Sequence, residues 1–200
     1  SSVATSGGAI TLGGGLDIAT GYARGEATRD TVTEPTYTLY ISGVHLQSGV
    51  SLSSGGGDIT MRGQNASTTS GAMVFGVMGG GITVDAGAGK ISITGVATGS
   101  VSSNAQAISS YGSGYTLRSS SGNAQAISLY GDASAVTGGS SLGINLGGTI
   151  ESTGTGGVSL TGSAGTASVE AGITMGSANI LAKSGAITLV GVNDSSNRSE

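Results

Sequence analysis

The stretch Gly81-Ile82-Thr83-Val84-Asp85-Ala86-Gly87-Ala88-Gly89-Lys90-Ile91-Ser92-Ile93-Thr94-Gly95 decides how the chain is read. Ile82 and Val84 alternate with Thr83 and Asp85, and a Gly/Ala turn follows. Ile91 and Ile93 then alternate with Ser92 and Thr94 before a closing glycine. A period of two marks a strand with one buried face. The stretch is therefore two short strands joined by a turn built from small residues.

The same pattern returns along the chain. The second half recurs as Ala9-Ile10-Thr11-Leu12-Gly13, Asp58-Ile59-Thr60-Met61-Arg62-Gly63, Ala126-Ile127-Ser128-Leu129-Tyr130-Gly131, Val158-Ser159-Leu160-Thr161-Gly162 and Ala186-Ile187-Thr188-Leu189-Val190-Gly191. From Gly63 onward the closing glycines are 32, 36, 31 and 29 residues apart. The first half recurs at Gly49, Gly114, Gly148 and Ala178. A third strand precedes these two, at Gly43-Val44-His45-Leu46, Ala72-Met73-Val74-Phe75, Gln106-Ala107-Ile108-Ser109, Gly143-Ile144-Asn145-Leu146 and Gly172-Ile173-Thr174-Met175. No hairpin turn joins neighbouring strands. Each strand is expected to pair with its equivalent one repeat later, giving one coil per repeat. The predicted fold is all-β: a right-handed parallel β-helix of triangular section, with five to six coils of roughly 32 residues. Loops are expected at Gln64 to Gly71 and Asp132 to Leu142, where repeat length varies.

Composition excludes the competing classes. Of 200 residues 40 are glycine, 33 serine and 23 threonine, which disfavours helices. Glycine has no period of three and there is one proline, so collagen is excluded. A 36% apolar content and positive mean hydropathy argue against a flexible linker. The formal charge of −4 disfavours nucleic acid as a partner. No apolar run is long enough for a membrane-spanning helix, and seven aromatics are too few for barrel girdles. With no cysteine, disulfides and thiolate metal sites are absent.

One region breaks the period. Gly13 and Gly63 are 50 residues apart, and Asp17 to Pro35 holds Asp17, Arg24, Glu26, Arg29, Asp30 and Glu34. Residues 17–42 are read as an insertion or hairpin projecting from a single domain of residues 1–200. Arg24, Glu26, Arg29, Asp30 and Tyr37 are its candidate binding residues. Stacking should also place Asp85, Arg118 and Glu151 in one outward ladder of alternating charge, a structural feature worth about 0.2–1 kcal/mol per neighbour.

No catalytic, cofactor or metal site is expected. His45 is the single histidine, and alternation turns it outward. No HExxH, GxSxG, Walker or RTX calcium pattern occurs. A carbohydrate-acting β-helix enzyme, a lyase or hydrolase, is the alternative reading, and it would need several charged side chains gathered in one groove. An ice-binding face would use the hydroxyl column Thr11, Thr60, Ser92, Ser128, Ser159 and Thr188, but the next column is too mixed for a regular array. Asn65, Asn193 and Asn197 fit the N-glycosylation pattern.

The Gly81–Gly95 unit and the glycine-apolar starts at Gly43, Gly143 and Gly172 resemble the filamentous-haemagglutinin-like exoproteins of Gram-negative bacteria. The resemblance spans about residues 43–192 and, more weakly, Gly7 to Gly13. It implies the shaft of a large secreted or surface-tethered rod, exported unfolded through an outer-membrane pore. Adhesion, biofilm cohesion or contact-dependent toxin delivery are the roles it implies. Expected partners are further coils, by end-to-end self-association or within a longer chain, and host-cell or matrix glycans or proteins. The expected location is extracellular or the bacterial outer surface.

Overall fold

A computed structural model describes residues 1–14, 20–25, 40–65, 73–100 and 104–193. These residues form fifteen strands, numbered in chain order, and no helix. All pairings between them are parallel, and they build two ladders. The first runs β1 (Ser2–Ala4), β5 (Ser51–Ser53), β7 (Met73–Asp85), β10 (Asn104–Ser119), β12 (Ser140–Ser152) and β14 (Val169–Ala182), with β4 (Tyr40–Leu46) also on β7. The second runs β2 (Ile10–Leu12), β6 (Ile59–Asn65), β8 (Ile91–Ala97), β11 (Gln125–Thr137), β13 (Gly157–Thr166) and β15 (Ile187–Asn193). There β3 (Ala23–Gly25) also pairs with β6, and β9 (Gly99–Ser100) with β11.

The fold is thus a parallel β-solenoid. Its repeat is read from Ser51 opposite Thr83, Ile82 opposite Tyr115, Tyr115 opposite Gly148, and Gly148 opposite Ala178. Those four steps of about 32 residues make about four regular turns, slightly fewer than the five to six coils expected. The first step, from Ser2 to Ser51, is longer and spans residues 17–42.

Two of the three expected strand columns run together in the first ladder. Glycines with left-handed φ, Gly81 at 62°, Gly114 at 75° and Gly148 at 97°, bend the chain at the corner between them. Pairing resumes beyond each bend, so β7, β10, β12 and β14 are long strands. The Asp132 to Leu142 segment, expected as a loop, is mostly strand. Asp132–Thr137 extends β11 and Ser140 begins β12, leaving only Gly138 and Gly139 between them.

The interior is stacked in like residues. Ile10, Ile59, Ile91, Ile127, Val158 and Ile187 form one column, and Leu12, Met61, Ile93, Leu129, Leu160 and Leu189 the next. Leu52, Val84, Leu117 and Ile150 face them across the main core. Each such buried aliphatic chain contributes about 1.5–3 kcal/mol. A second, smaller core holds Val74, Ala97, Ala105, Ala107, Ala133 and Val136.

A glycine seam separates the two cores. Gly63, Gly95, Gly131 and Gly162 lie on the second ladder, facing Gly76, Ala107, Gly143 and Gly172 on the first. A Cβ on Gly95 would sit 1.9 Å from the Ala107 carbonyl oxygen, and one on Gly162 at 1.9 Å from that of Gly172. The backbones touch here, so the section is pinched into two lobes. The seam also corrects two expected registers. Val44 stands opposite Val77, and Val77 opposite Ile108, so Gly76 and Ala107 take the places predicted for Ala72 and Gln106.

Buried serines close the corners. Ser119 Oγ donates to the Gly89 carbonyl at 2.6 Å and Ser152 Oγ to that of Gly156 at 2.6 Å, satisfying turn carbonyls inside the fold.

Candidate functional site

The outer face of the first ladder carries a groove of about 470 Å³. Alternation builds it. Val44, Val77, Ile108 and Ile144 point into the core, so His45, Met78, Ser109 and Asn145 stand outward in one column across four strands. Phe75 and Gln106, opposite one another on β7 and β10, supply a second column. Phe75, Met78 and Gln106 are almost wholly buried despite facing outward.

A bulge completes the groove. Between Ser109 and Tyr115, β10 has more residues than β7 or β12, and the register shifts. Tyr111, still opposite Gly80 of β7, stands where the excess begins and is 42% exposed. Its ring crosses Gly80, where a Cβ would come within 2.7 Å of it. Tyr111 Oη lies 3.3 Å from His45 Nε2, with the rings edge to face at 6.3 Å and 67°. The base of the bulge is fixed from inside. Tyr115 is fully buried, and its hydroxyl donates to the Ser109 carbonyl at 2.7 Å. Burial pushes the Tyr115 phenol well above its ordinary pKa, and the nearby Tyr111 adds to the shift.

The polar groups in the groove are neutral amides and hydroxyls. Asn145 Nδ2 donates to Gln106 Oε1 at 3.0 Å. By the amide inventory this leaves the Gln106 NH₂ as a donor and the Asn145 oxygen as an acceptor. Asn104 Oδ1 is buried and accepts no hydrogen bond among the described residues. Among the described residues that line the groove, His45 is the one basic side chain and none is a carboxylate.

A second feature is the last coil. Among the described residues β14 and β15 are the last strands of their ladders and are each paired on one side. Leu160 is fully buried on β13, whereas Leu189 opposite it on β15 is 43% exposed and Ile187 is 46% exposed. A hollow of about 600 Å³ opens there between Ile173, Met175 and Leu189. At the other end Ile10, in the same column as Ile187, is only 6% exposed. The two ends of the solenoid therefore differ.

Of the residues singled out in the sequence, Arg118 stands opposite both Asp85 and Glu151. Its Nε is 3.5 Å from Glu151 Oε2. Asp85 instead accepts the Gly87 N–H at 2.8 Å. A second inter-coil pair, Lys90 with Asp58 at 3.5 Å, went unread in the sequence, although the two residues are one repeat apart. Arg24 is exposed on β3, opposite Gln64 of β6. Glu26, Arg29, Asp30 and Tyr37 lie outside the described residues, as does Asn197. Within 17–42, residues 23–25 form β3 and 40–42 begin β4. Asn65 is fully buried, leaving no room for a glycan in the folded solenoid. The exposed Asn193 accepts the Gly172 N–H at 2.7 Å.

The groove itself was missed by sequence reasoning. Its signal is aromatic scarcity: the single Phe and two of the six Tyr lie in or under it. Among the described residues no group of three or more His, Asp or Glu is placed to hold a metal ion. No helix of the described residues is long and apolar enough to cross a membrane. Comparison with family models, with curated proteins and with solved structures finds no match.

Proposed function

We propose that this chain is a shaft segment of a secreted or cell-surface bacterial exoprotein of the filamentous-haemagglutinin type. It is a non-catalytic rod that serves adhesion, biofilm cohesion or filament formation by coil stacking. The observation that carries this reading is the parallel β-solenoid: two ladders with a repeat of about 32 residues, and like-residue columns running through the described coils. Strands that pair in parallel from coil to coil are a template on which further coils stack. Among the described residues the groove's lining includes no carboxylate, whereas glycoside hydrolysis ordinarily uses a pair of them.

Electron microscopy of the purified protein, with its mass measured alongside, tests the reading. Fibres that grow with concentration and are lost in Leu189→Lys support stacking between copies. Short single rods support a shaft segment whose next coil belongs to its own chain. Compact particles with no long axis would refute the rod.

A further inference from the structure

We propose that Tyr111 is a modification site, at which a peroxide-driven one-electron oxidant joins two copies of this chain through a dityrosine bond. This goes beyond the rod reading and does not depend on coil stacking.

A phenol that loses an electron also loses its proton, and a base already hydrogen-bonded to it takes that proton in the same step. Tyr22, Tyr111, Tyr115 and Tyr130 are the tyrosines whose side chains are described, and among them Tyr111 alone meets such a base. Its Oη lies 3.3 Å from Nε2 of His45, the single histidine of the chain. A neutral imidazole that carries its hydrogen on Nδ1 accepts at Nε2. Packing holds the pair together. The rings meet edge to face at 6.3 Å, and the Tyr111 ring lies over Gly80, where no side chain displaces it.

The other tyrosines mark the contrast. Tyr115, in the same strand, is fully buried, and its hydroxyl donates to the Ser109 carbonyl, which is no base. Burial keeps that phenol protonated. Tyr130 is as exposed as Tyr111, at 44% against 42%, but its neighbours in the adjoining coils are Thr94 and Thr161. It is the internal control. A radical on Tyr111 has no Trp or Cys in the chain to pass to. The ring also stands on the flank of the solenoid, on a strand paired on both sides, so two copies meet there side by side.

Each Tyr111 gives one electron to the oxidant and its hydroxyl proton to His45. A carbon ortho to the oxygen of one ring then bonds to its equivalent in the other, and the two ring hydrogens move to the phenol oxygens. One hydrogen peroxide takes up the two electrons and two protons and leaves as two waters.

The test treats the whole 200-residue protein with hydrogen peroxide and a haem peroxidase. Dityrosine fluorescence, denaturing electrophoresis and mass spectrometry of cross-linked peptides read the product. A covalent dimer linked Tyr111 to Tyr111 is expected, lost in Tyr111→Phe and retained in Tyr130→Phe. His45→Gln keeps a hydrogen-bond partner but no base, and should slow dimer formation by on the order of 10-fold or more with an unchanged circular dichroism spectrum. Added imidazole should restore the rate relative to N-acetyltyrosinamide coupled under the same conditions, which a purely structural role for His45 would not produce. The proposal is overturned by a dimer that persists in Tyr111→Phe, by links at Tyr130 or Tyr37 instead, or by an equal rate in His45→Gln. A bond formed within one chain between Tyr111 and His45, leaving only monomer, would overturn it as well.

Discussion

The seam between the two cores allows one chemical change to be made in graded surroundings. Gly95, Gly131, Gly162 and Gly191 occupy one column of the second ladder. Adding a methyl group at Gly95 places a Cβ 1.9 Å from the Ala107 carbonyl oxygen, and at Gly162 the same distance from that of Gly172. Real Cβ contacts essentially never fall below 3.0 Å, so the facing backbones must part by about 1.1 Å. A gap of 0.5–1 Å already forfeits about a quarter to a half of each dispersion contact along the opened surface. Overpacking usually costs about 1–3 kcal/mol, and here no flexible side chain can yield, so Gly95→Ala and Gly162→Ala should each lose about 3 kcal/mol or more. At Gly191, in the last coil, the nearest atom to the same Cβ is the Ile173 nitrogen at 3.5 Å, an ordinary contact. There Gly→Ala should be neutral or gain about 0.4–1 kcal/mol through the unfolded chain. Urea unfolding followed by circular dichroism reads the series, with the midpoint of the first two variants falling by about 1–3 M. Equal losses at Gly95 and Gly191, or a loss at Gly95 below about 1 kcal/mol, would show that the lobes are not held in backbone contact.

Three further outcomes are expected. Tyr115→Phe keeps the ring but strips the Ser109 carbonyl of its hydroxyl donor, and urea unfolding should register a loss of about 1–3 kcal/mol. The folded state holds this phenol protonated while the unfolded chain ionises near its ordinary pKa of about 10. Its contribution is therefore full below that pH and falls as pH climbs above it, so Tyr115→Phe should flatten the alkaline limb of a stability–pH curve. Arg118→Ala removes an ion pair between two largely exposed groups, and a change above about 1 kcal/mol by chemical denaturation would be unexpected. Leu129→Ala should cost about 2–5 kcal/mol and Leu189→Ala, at monomeric concentrations, less than about 0.5 kcal/mol; similar values by thermal unfolding would mean that the last coil is covered.

The coil repeat was legible because its hydrophobic columns use large residues against a background of Gly, Ser and Thr. Ile59, Ile91, Ile127 and Val158 announce themselves at the same place in each unit. The small core was not legible for the converse reason. Ala97, Ala105, Ala107 and Ala133 are too small to stand out in a chain so rich in small residues, and the segment that holds Ala133 reads as a loop although it is strand. Around Met73 to Met78 nearly every residue is apolar, so alternation alone could not choose a register. The choice is made by contact across the molecule, where Gly76 must lie against the Gly63 backbone. Charge neighbours were readable from spacing, as for Arg118 and Glu151, but which oxygen each cation meets depends on local turns. Asp85 is held by the Gly87 amide. The groove stayed hidden because Tyr111 borders a run of extra residues that β7 and β12 do not share, and a search for repeats discards what does not repeat.

The pinched section has a mechanical consequence. A hollow tube of sheet flattens when bent, because its opposite walls are free to slide. Here the seam works as the web of a beam, joining the walls at Gly63, Gly95, Gly131 and Gly162 through direct backbone contact. Shear between the walls is then carried by atoms that cannot rotate out of the way, and the load passes from coil to coil along the seam. A thin filament of this cross-section resists buckling along its length while each coil keeps only a slender interior.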